Sequence, residues 1–127
     1  MVVNLRELDC TTLVETTLAL ALTKRQHSDS FADYCHNLQR LRYWDGQMNG
    51  YLSRLHYFSW WWHNNKDKGI IKEVTLPTKY TTIINVQNNY MSVHPDRYKF
   101  LKLHPEWVDS IARMEQRYNG PDGRYLM

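Results

Sequence analysis

The sequence contains no long apolar run. Nothing in it approaches the roughly 20 consecutive apolar residues that a helix needs to cross a bilayer, so no membrane span is expected. The amino end also lacks the basic stretch, apolar core and small-residue cleavage site of a secretory signal. Cysteine is scarce. Cys10 and Cys35 allow at most one disulfide, which excludes a disulfide scaffold. The six histidines fall in no C-x-x-C, H-E-x-x-H or comparable spacing, so no metal site is expected. Neither G-x-x-x-x-G-K-S/T nor G-x-G-x-x-G occurs, so no nucleotide cofactor is expected either. The net charge of +3 is mild. It permits an acidic partner without requiring one.

What the chain does have is enough length for one packed core, 127 residues, and a composition that excludes disorder, collagen and coiled coil. It is 43% hydrophobic and 23% charged. Its excess is aromatic, with five tryptophans and nine tyrosines. Helical signals dominate, and no repeat or linker is visible. A first helix is expected from Cys10 to Lys24, capped by Asp9, with Leu8 and Leu13 at the staple positions. Its inner face is expected to be Leu13, Val14, Thr17, Leu18 and Ala21. Thr12 and Glu15 form a second capping-box pair. A second helix is expected from Phe31 to Arg42 behind Ser30, with Phe31, Tyr34, Cys35, Leu38 and Leu41 inward. Turn signals at Asp45-Gly46 and Asn49-Gly50 suit a short hairpin between Arg42 and Leu55. A third helix is expected from Phe58 to Lys66, stopped by Gly69. Ile70–Leu76 and Thr81–Val86 read as extended. Pro95 opens a short helix through Leu101, and Pro105 opens another with Trp107, Val108, Ile111, Met114 and Tyr118 inward. Residues Asn119 to Gly123 read as a loop.

Cys10 carries the most chemical information. As the first residue of a capped helix it faces free backbone N–H groups and the positive end of the helix dipole. That environment favours a thiolate, the form a nucleophile needs. From the residues alone, a small structural residue that happens to begin a helix is the simpler account. Cys35, mid-helix on the apolar face, reads as core packing. A cysteine hydrolase also needs a base, but spacing pairs none of His27, His36, His56, His63, His94 and His104 with Cys10. The segments Arg40 to Gly46 and Arg54 to Trp62 mix arginine with aromatic rings. They suit a sugar, a base or a carboxylate, and equally a core stripe with snorkelling arginines. Of three consecutive tryptophans, at most two can face inward on a helix. No binding-module signature supports nucleic acid as a partner.

Two segments carry a family resemblance. Leu8-Asp9-Cys10-Thr11-Thr12-Leu13-Val14-Glu15-Thr16 resembles a bacterial nucleophile motif. Leu41 to Gly46, followed by Gly50-Tyr51-Leu52-Ser53-Arg54-Leu55-His56-Tyr57-Phe58-Ser59, is similar to a second motif of the same family. Weaker agreement continues through Ile84-Asn85 and Met91 to His94 as far as Tyr98. These segments resemble the N-acetylmuramoyl-L-alanine amidase-like family of NlpC-type, papain-like cysteine amidohydrolases.

The resemblance implies a peptidoglycan amidase acting on muropeptide in the periplasm or cell envelope, with Cys10 as nucleophile and no cofactor. It implies a substrate cleft shaped by Arg54, His56 and Tyr57, with support of Cys10 as their competing role. It further implies a mostly α chain with a few short strands, the helical half of an α+β papain-like fold. Residues 1–127 would then be one partial domain, truncated at both ends. The family's histidine base lies downstream in a strand with a Ser-His-x-Gly-like motif. A chain without it is expected to lack general-base catalysis and to leave an apolar face open to self-association. A different expectation is a non-catalytic module that binds muropeptide or protein. A third is an unrelated helical protein with a structural cysteine.

Overall fold

The computed structural model describes residues 1–74 and 82–125, and the side chains of these as far as residue 121. The described residues are mostly helical, with one two-stranded sheet. That agrees with the expectation of a mostly α chain with few strands. It divides into two compact units, Met1–Lys68 and Gly69–Met127.

The first unit is built on three helices. α1 spans Cys10–Arg25, α2 Phe31–Arg42 and α3 Phe58–Asp67. α1 begins where expected because Asp9 makes a full capping box with Thr12. The Thr12 amide donates to the Asp9 carboxylate at 2.7 Å, and the Asp9 amide donates to the Thr12 hydroxyl at 2.8 Å. Thr12 is thereby used at Asp9's cap, and the alternative start at Thr12 is not taken. α2 starts at Phe31 because the Ser30 hydroxyl accepts from the Ala32 and Asp33 amides.

The expected inner face of α1 is corrected by the structure. The buried residues are Glu15, Thr16, Ala19 and Thr23, whereas Leu13, Val14, Thr17 and Ala21 are exposed. The buried face is polar because it meets polar partners on α2. Glu15 pairs with Arg42, and the Asn37 amide donates to the Thr23 hydroxyl at 3.0 Å and to Gln26 Oε1 at 3.0 Å. Such a face can be buried because its donors and acceptors are satisfied. On α2 the inward residues are Tyr34, Asn37, Leu38, Leu41 and Arg42. Phe31 is exposed and Cys35 only half-buried, which departs from the expected stripe.

The expected hairpin between Arg42 and Leu55 is reduced to an isolated antiparallel bridge, Tyr43 to Arg54. Inside it lie two 3-10 turns, Trp44–Gly46 and Tyr51–Ser53. Asp45 and Gly46 both adopt positive φ, 51° and 74°. The Asp45 amide and carboxylate make a reciprocal pair with the Asn64 side chain, at 3.2 and 3.0 Å. A Cβ on Gly46 would sit 3.4 Å from the Arg40 Cα as well as strain the backbone. On α3, Trp60 and Trp61 are buried and Trp62 is half-buried, as the geometry of three consecutive tryptophans requires.

In the second unit, residues 70–74 form no strand, and the rest of the extended stretch expected to Leu76 lies outside the described residues. β1 spans Thr82–Val86, and Thr81 lies outside the described residues. It pairs antiparallel with β2, Gly120–Tyr125, with Val86 opposite Gly120 and Thr82 opposite Tyr125. The loop expected from Asn119 to Gly123 is therefore corrected to a strand from Gly120 onward. Pairing with β1 overrides the local turn signals of glycine and proline, and Pro121 is tolerated at an edge.

Three helices lie between the strands. They are α4 (Tyr90–Val93), α5 (Lys99–Leu103) and α6 (Val108–Tyr118). The single helix expected after Pro95 is split into a 3-10 turn, Pro95–Arg97, and α5, with a break at Tyr98. Pro105 heads a 3-10 turn that leads into α6. Met91, Leu101 and Ile111 form the buried apolar centre of this unit. Glu115 joins them, accepting from the Ser92 amide at 3.3 Å.

Candidate functional site

The site is assembled around the amino end of α1. Cys10 is its first residue and is exposed. The capping box leaves the helix start fixed by two backbone-to-side-chain hydrogen bonds. Two bonds donated to the Asp9 carboxylate, first from the Thr12 amide at 2.7 Å and then from the Thr12 hydroxyl at 2.8 Å, hold the Asp9 carboxyl below the usual carboxylate range, and Arg54 adds to the effect through its charge. Asp9 is therefore anionic at neutral pH, and Arg54 lies within electrostatic reach of the residue beside Cys10.

Arg54 is delivered by the bridge to Tyr43, reinforced by the Leu55 amide donating to the Arg42 carbonyl at 2.9 Å. This pairing joins the segment after α2 to the segment before α3. Beyond it, His56 is largely buried, and its Nε2 donates to the Tyr51 carbonyl at 2.9 Å. A carbonyl can only accept, so the Nε2 hydrogen is fixed and Nδ1 is the lone-pair nitrogen of the neutral ring. Burial pushes the His56 pKa down to about 4, against the raising effect of that hydrogen bond and with a further lowering by Arg54. The imidazole also packs on the Tyr51 ring, 4.4 Å between centroids. Tyr57 caps α3 and meets Trp60 edge-on at 4.8 Å. Arg54, His56 and Tyr57 are therefore all only partly exposed. They are set in one short stretch that links Asp9, at the start of α1, to the aromatic packing of α3.

Two residues of this region escape sequence reasoning. Glu15 reads as a capping partner and Arg42 as part of an aromatic–cationic surface. In the structure they form an ion pair, Arg42 Nε to Glu15 Oε2 at 2.6 Å, with side chains 6% and 1% exposed. The second arm of the guanidinium, Nη1, donates to the Val2 carbonyl at 2.7 Å. The only local hint is an arginine in the last turn of a helix that is otherwise apolar on that side. Its partner, 27 residues away, cannot be read from spacing.

Of the other histidines, His94 and His104 belong to the second unit. His104 Nδ1 donates to the Glu106 carboxylate at 3.0 Å, and its ring stacks on Trp107 at 4.1 Å, a local structural arrangement beside Pro105. Among the described residues no group of three or more histidine, cysteine, aspartate or glutamate side chains is arranged to hold a metal ion. No described helix is long and apolar enough to cross a membrane.

The family model for AmiA-like, N-acetylmuramoyl-L-alanine amidase-like proteins matches residues 1–126. The chain belongs to this family. Three solved structures extend the comparison. One, from Bacteroides fragilis and named provisionally as a xylanase, is 41% identical with a TM-score of 0.88. It covers 99% of this chain and 54% of its own. An N-acetylmuramoyl-L-alanine amidase from Bacteroides uniformis is 40% identical with a TM-score of 0.88, over 99% of this chain and 52% of its own. Another structure under that name from the same organism is 33% identical with a TM-score of 0.77, over 98% and 51%. The chain thus spans about half the length of the solved structures it matches. No curated protein matches it.

Proposed function

We propose that this chain is the nucleophile-bearing part of a peptidoglycan amidase, which cleaves the amide joining the lactyl group of N-acetylmuramic acid to L-alanine. The observation that carries the reading is the position of Cys10. It is an exposed cysteine at the first turn of a capped helix, in a chain matched almost end to end by an amidase-like family model. In this reading the Cys10 thiolate attacks the amide carbonyl, and the developing oxyanion is held by N–H donors. Collapse of the tetrahedral intermediate breaks the C–N bond. The peptide leaves as an amine after taking up a proton, and the acyl group stays on sulfur as a thioester. Water then attacks the thioester, giving the muramic carboxylate and restoring the thiol. In this reading the general base is the histidine of a downstream strand that the family resemblance implies, outside residues 1–127.

The finer assignments follow from the same reading. Residues 1–127 form one part of an α+β, papain-like domain of the NlpC type, and the protein works on muropeptides in the periplasm or cell envelope. Arg54 offers a charge-assisted hydrogen bond to a substrate carboxylate, and Tyr57 an aromatic face to sugar or peptide. His56, neutral and bonded to Tyr51, supports the loop that presents both and bounds the cleft. The exposed α1 side chains Leu13, Val14 and Leu20 favour self-association of the chain when nothing covers them.

The test is a mass-spectrometric assay with a muropeptide that carries the muramoyl-L-alanine bond. Slow formation of a muramoyl adduct on Cys10, with one equivalent of free peptide and no turnover, is expected, and both vanish in Cys10→Ala. An adduct or product that persists in Cys10→Ala, or cleavage of xylan instead of muropeptide, overturns the reading. Muropeptide binding with neither product nor adduct would favour the binding-module alternative.

A further inference from the structure

Three acidic or amide side chains described in the structure stand directly before a glycine: Asp45, Asn49 and Asn119. Such pairs share a chemical liability. A glycine nitrogen has no Cβ beside it to hinder its approach to the preceding side-chain carbon, and the two can close a five-membered imide. The fold treats the three pairs differently. Asp45 Oδ1 accepts from the Asn64 side chain at 3.0 Å, and the Gly46 amide is committed to the Tyr43 carbonyl at 2.9 Å. Asn119 is held at both ends of its carboxamide. Its Nδ2 donates to the Asn88 carbonyl at 3.1 Å, and its Oδ1 accepts from the Asn88 amide at 2.7 Å. Gly120 behind it opens β2, opposite Val86.

Asn49 and Gly50 are both exposed. Among the described residues, neither the Asn49 carboxamide nor the Gly50 amide has a hydrogen-bond partner. Beyond the adjoining residues, no described atom lies within 4 Å of where a Gly50 Cβ would stand. One hydroxyl pins the backbone here. Ser53 Oγ accepts from the Asn49 amide at 2.8 Å and donates to the Gly50 carbonyl at 2.7 Å. The two contacts flank the bond between Asn49 and Gly50. They close the turn that leads to Arg54 and its bridge to Tyr43.

We propose that Asn49 is a site of spontaneous backbone modification, and that its conversion opens the Ser53 clasp and loosens the turn that presents Arg54. The Gly50 nitrogen, giving its proton to hydroxide, attacks the Asn49 Cγ. The bond from Cγ to Nδ2 breaks, and that nitrogen takes a proton from water and leaves as ammonia. Water then opens the imide at either carbonyl. Breaking the bond from Cγ to the Gly50 nitrogen leaves aspartate. Breaking the bond from the backbone carbonyl to that nitrogen leaves isoaspartate, with the chain routed through Cβ and Cγ and one carbon longer. The extra carbon falls between the two atoms that Ser53 holds. The role of Cys10 does not enter this inference.

The experiment incubates the native chain at pH 8 and 37 °C, folded and in urea, and follows Asn49 and Asn119 by peptide mass spectrometry. The signal is the mass gained when OH replaces NH2, with chromatographic separation of the aspartyl and isoaspartyl peptides. In urea the two sites are expected to convert at similar rates. In the folded chain Asn119 is expected to lag Asn49 by about tenfold or more, the scale of two hydrogen bonds that must open first. Limited trypsin digestion then reads the clasp. Cutting after Arg54 is expected to speed up in the incubated chain in proportion to its isoaspartate content. Fresh native chain and Asn49→Gln incubated alike, which keeps the carboxamide but forms the ring poorly, are expected to stay slow.

An Asn119 that keeps pace with Asn49 in the folded chain overturns the selectivity. An Asn49 that converts in urea but not when folded overturns the site itself. Isoaspartate at Asn49 without faster cutting after Arg54 overturns the opening of the clasp, as does equal acceleration in incubated Asn49→Gln.

Discussion

Acid should destabilise the first unit through His56 in particular. The ring is buried beside Tyr51, its Nε2 hydrogen is committed to the Tyr51 carbonyl, and its pKa lies at about 4 instead of 6.5. The unfolded chain therefore binds a proton at His56 between pH 6.5 and 4 that the folded chain does not. Stability falls as pH falls wherever the unfolded state binds more protons. The interval corresponds to roughly 3 kcal/mol, absent above pH 6.5 and fully developed by pH 4. That is a sizeable share of the roughly 5–15 kcal/mol that hold a domain together.

The matched variant is His56→Gln, whose side-chain amide can still donate to the Tyr51 carbonyl but does not titrate. Urea unfolding of both proteins, followed by far-ultraviolet circular dichroism at pH 7.5, 6, 5 and 4.2, gives the two stability curves. Other carboxylates and histidines contribute alike to both and cancel in the difference. The native protein should lose about 2–3 kcal/mol more than the variant between pH 7.5 and 4.2. Parallel curves would refute the reasoning and would mean that water reaches the imidazole in the folded state.

Further outcomes are expected elsewhere in the molecule. Asp9→Ala removes the α1 cap and should cost about 1 kcal/mol at neutral pH. The difference from native should fade in urea titrations as pH drops through the carboxylate range, because the cap favours the ionised carboxyl. Trp60→Ala empties a fully buried site and should cost about 3–5 kcal/mol in chemical denaturation. Lys68 donates to the Arg40 and Tyr43 carbonyls, and burial brings its pKa down to about 8. Stability should thus rise with pH between about 8 and 10.5, and Lys68→Met should flatten that rise in thermal melts. Sedimentation equilibrium should find the native chain more associated than a Leu13→Lys, Leu20→Lys double variant.

Local signals predicted the helix starts well. Asp9 and Ser30 each hydrogen-bond to amides within three residues, and such contacts are written in adjacent sequence. The same holds for Gly69, whose φ of 69° follows the end of α3. What failed was each feature that depends on a distant partner. The inner face of α1 is polar because Arg42 and Asn37 meet it, and hydrophobic periodicity has no means of anticipating this. β2 exists because β1 lies opposite, although its own residues signal a turn. Within the candidate site, Cys10 was legible from its cap and from the resemblance of the segment around it. The Glu15–Arg42 pair was not, because a buried charge looks like a surface charge until its counter-ion is located.

The distribution of indole rings has an optical consequence. Trp44, Trp60, Trp61 and Trp62 all belong to the first unit, and Trp107 alone belongs to the second. Trp44 and Trp60 lie 5.8 Å apart, and Trp60 also touches Tyr57, close enough for excitation to pass between them. Emission from the native chain is therefore weighted toward the first unit, and a fluorescence melt mostly follows its unfolding. Replacing Trp107 with phenylalanine would make that signal exclusive to the first unit. The difference between the two traces would then isolate the lone indole stacked on His104, giving each half of the chain its own spectroscopic clock.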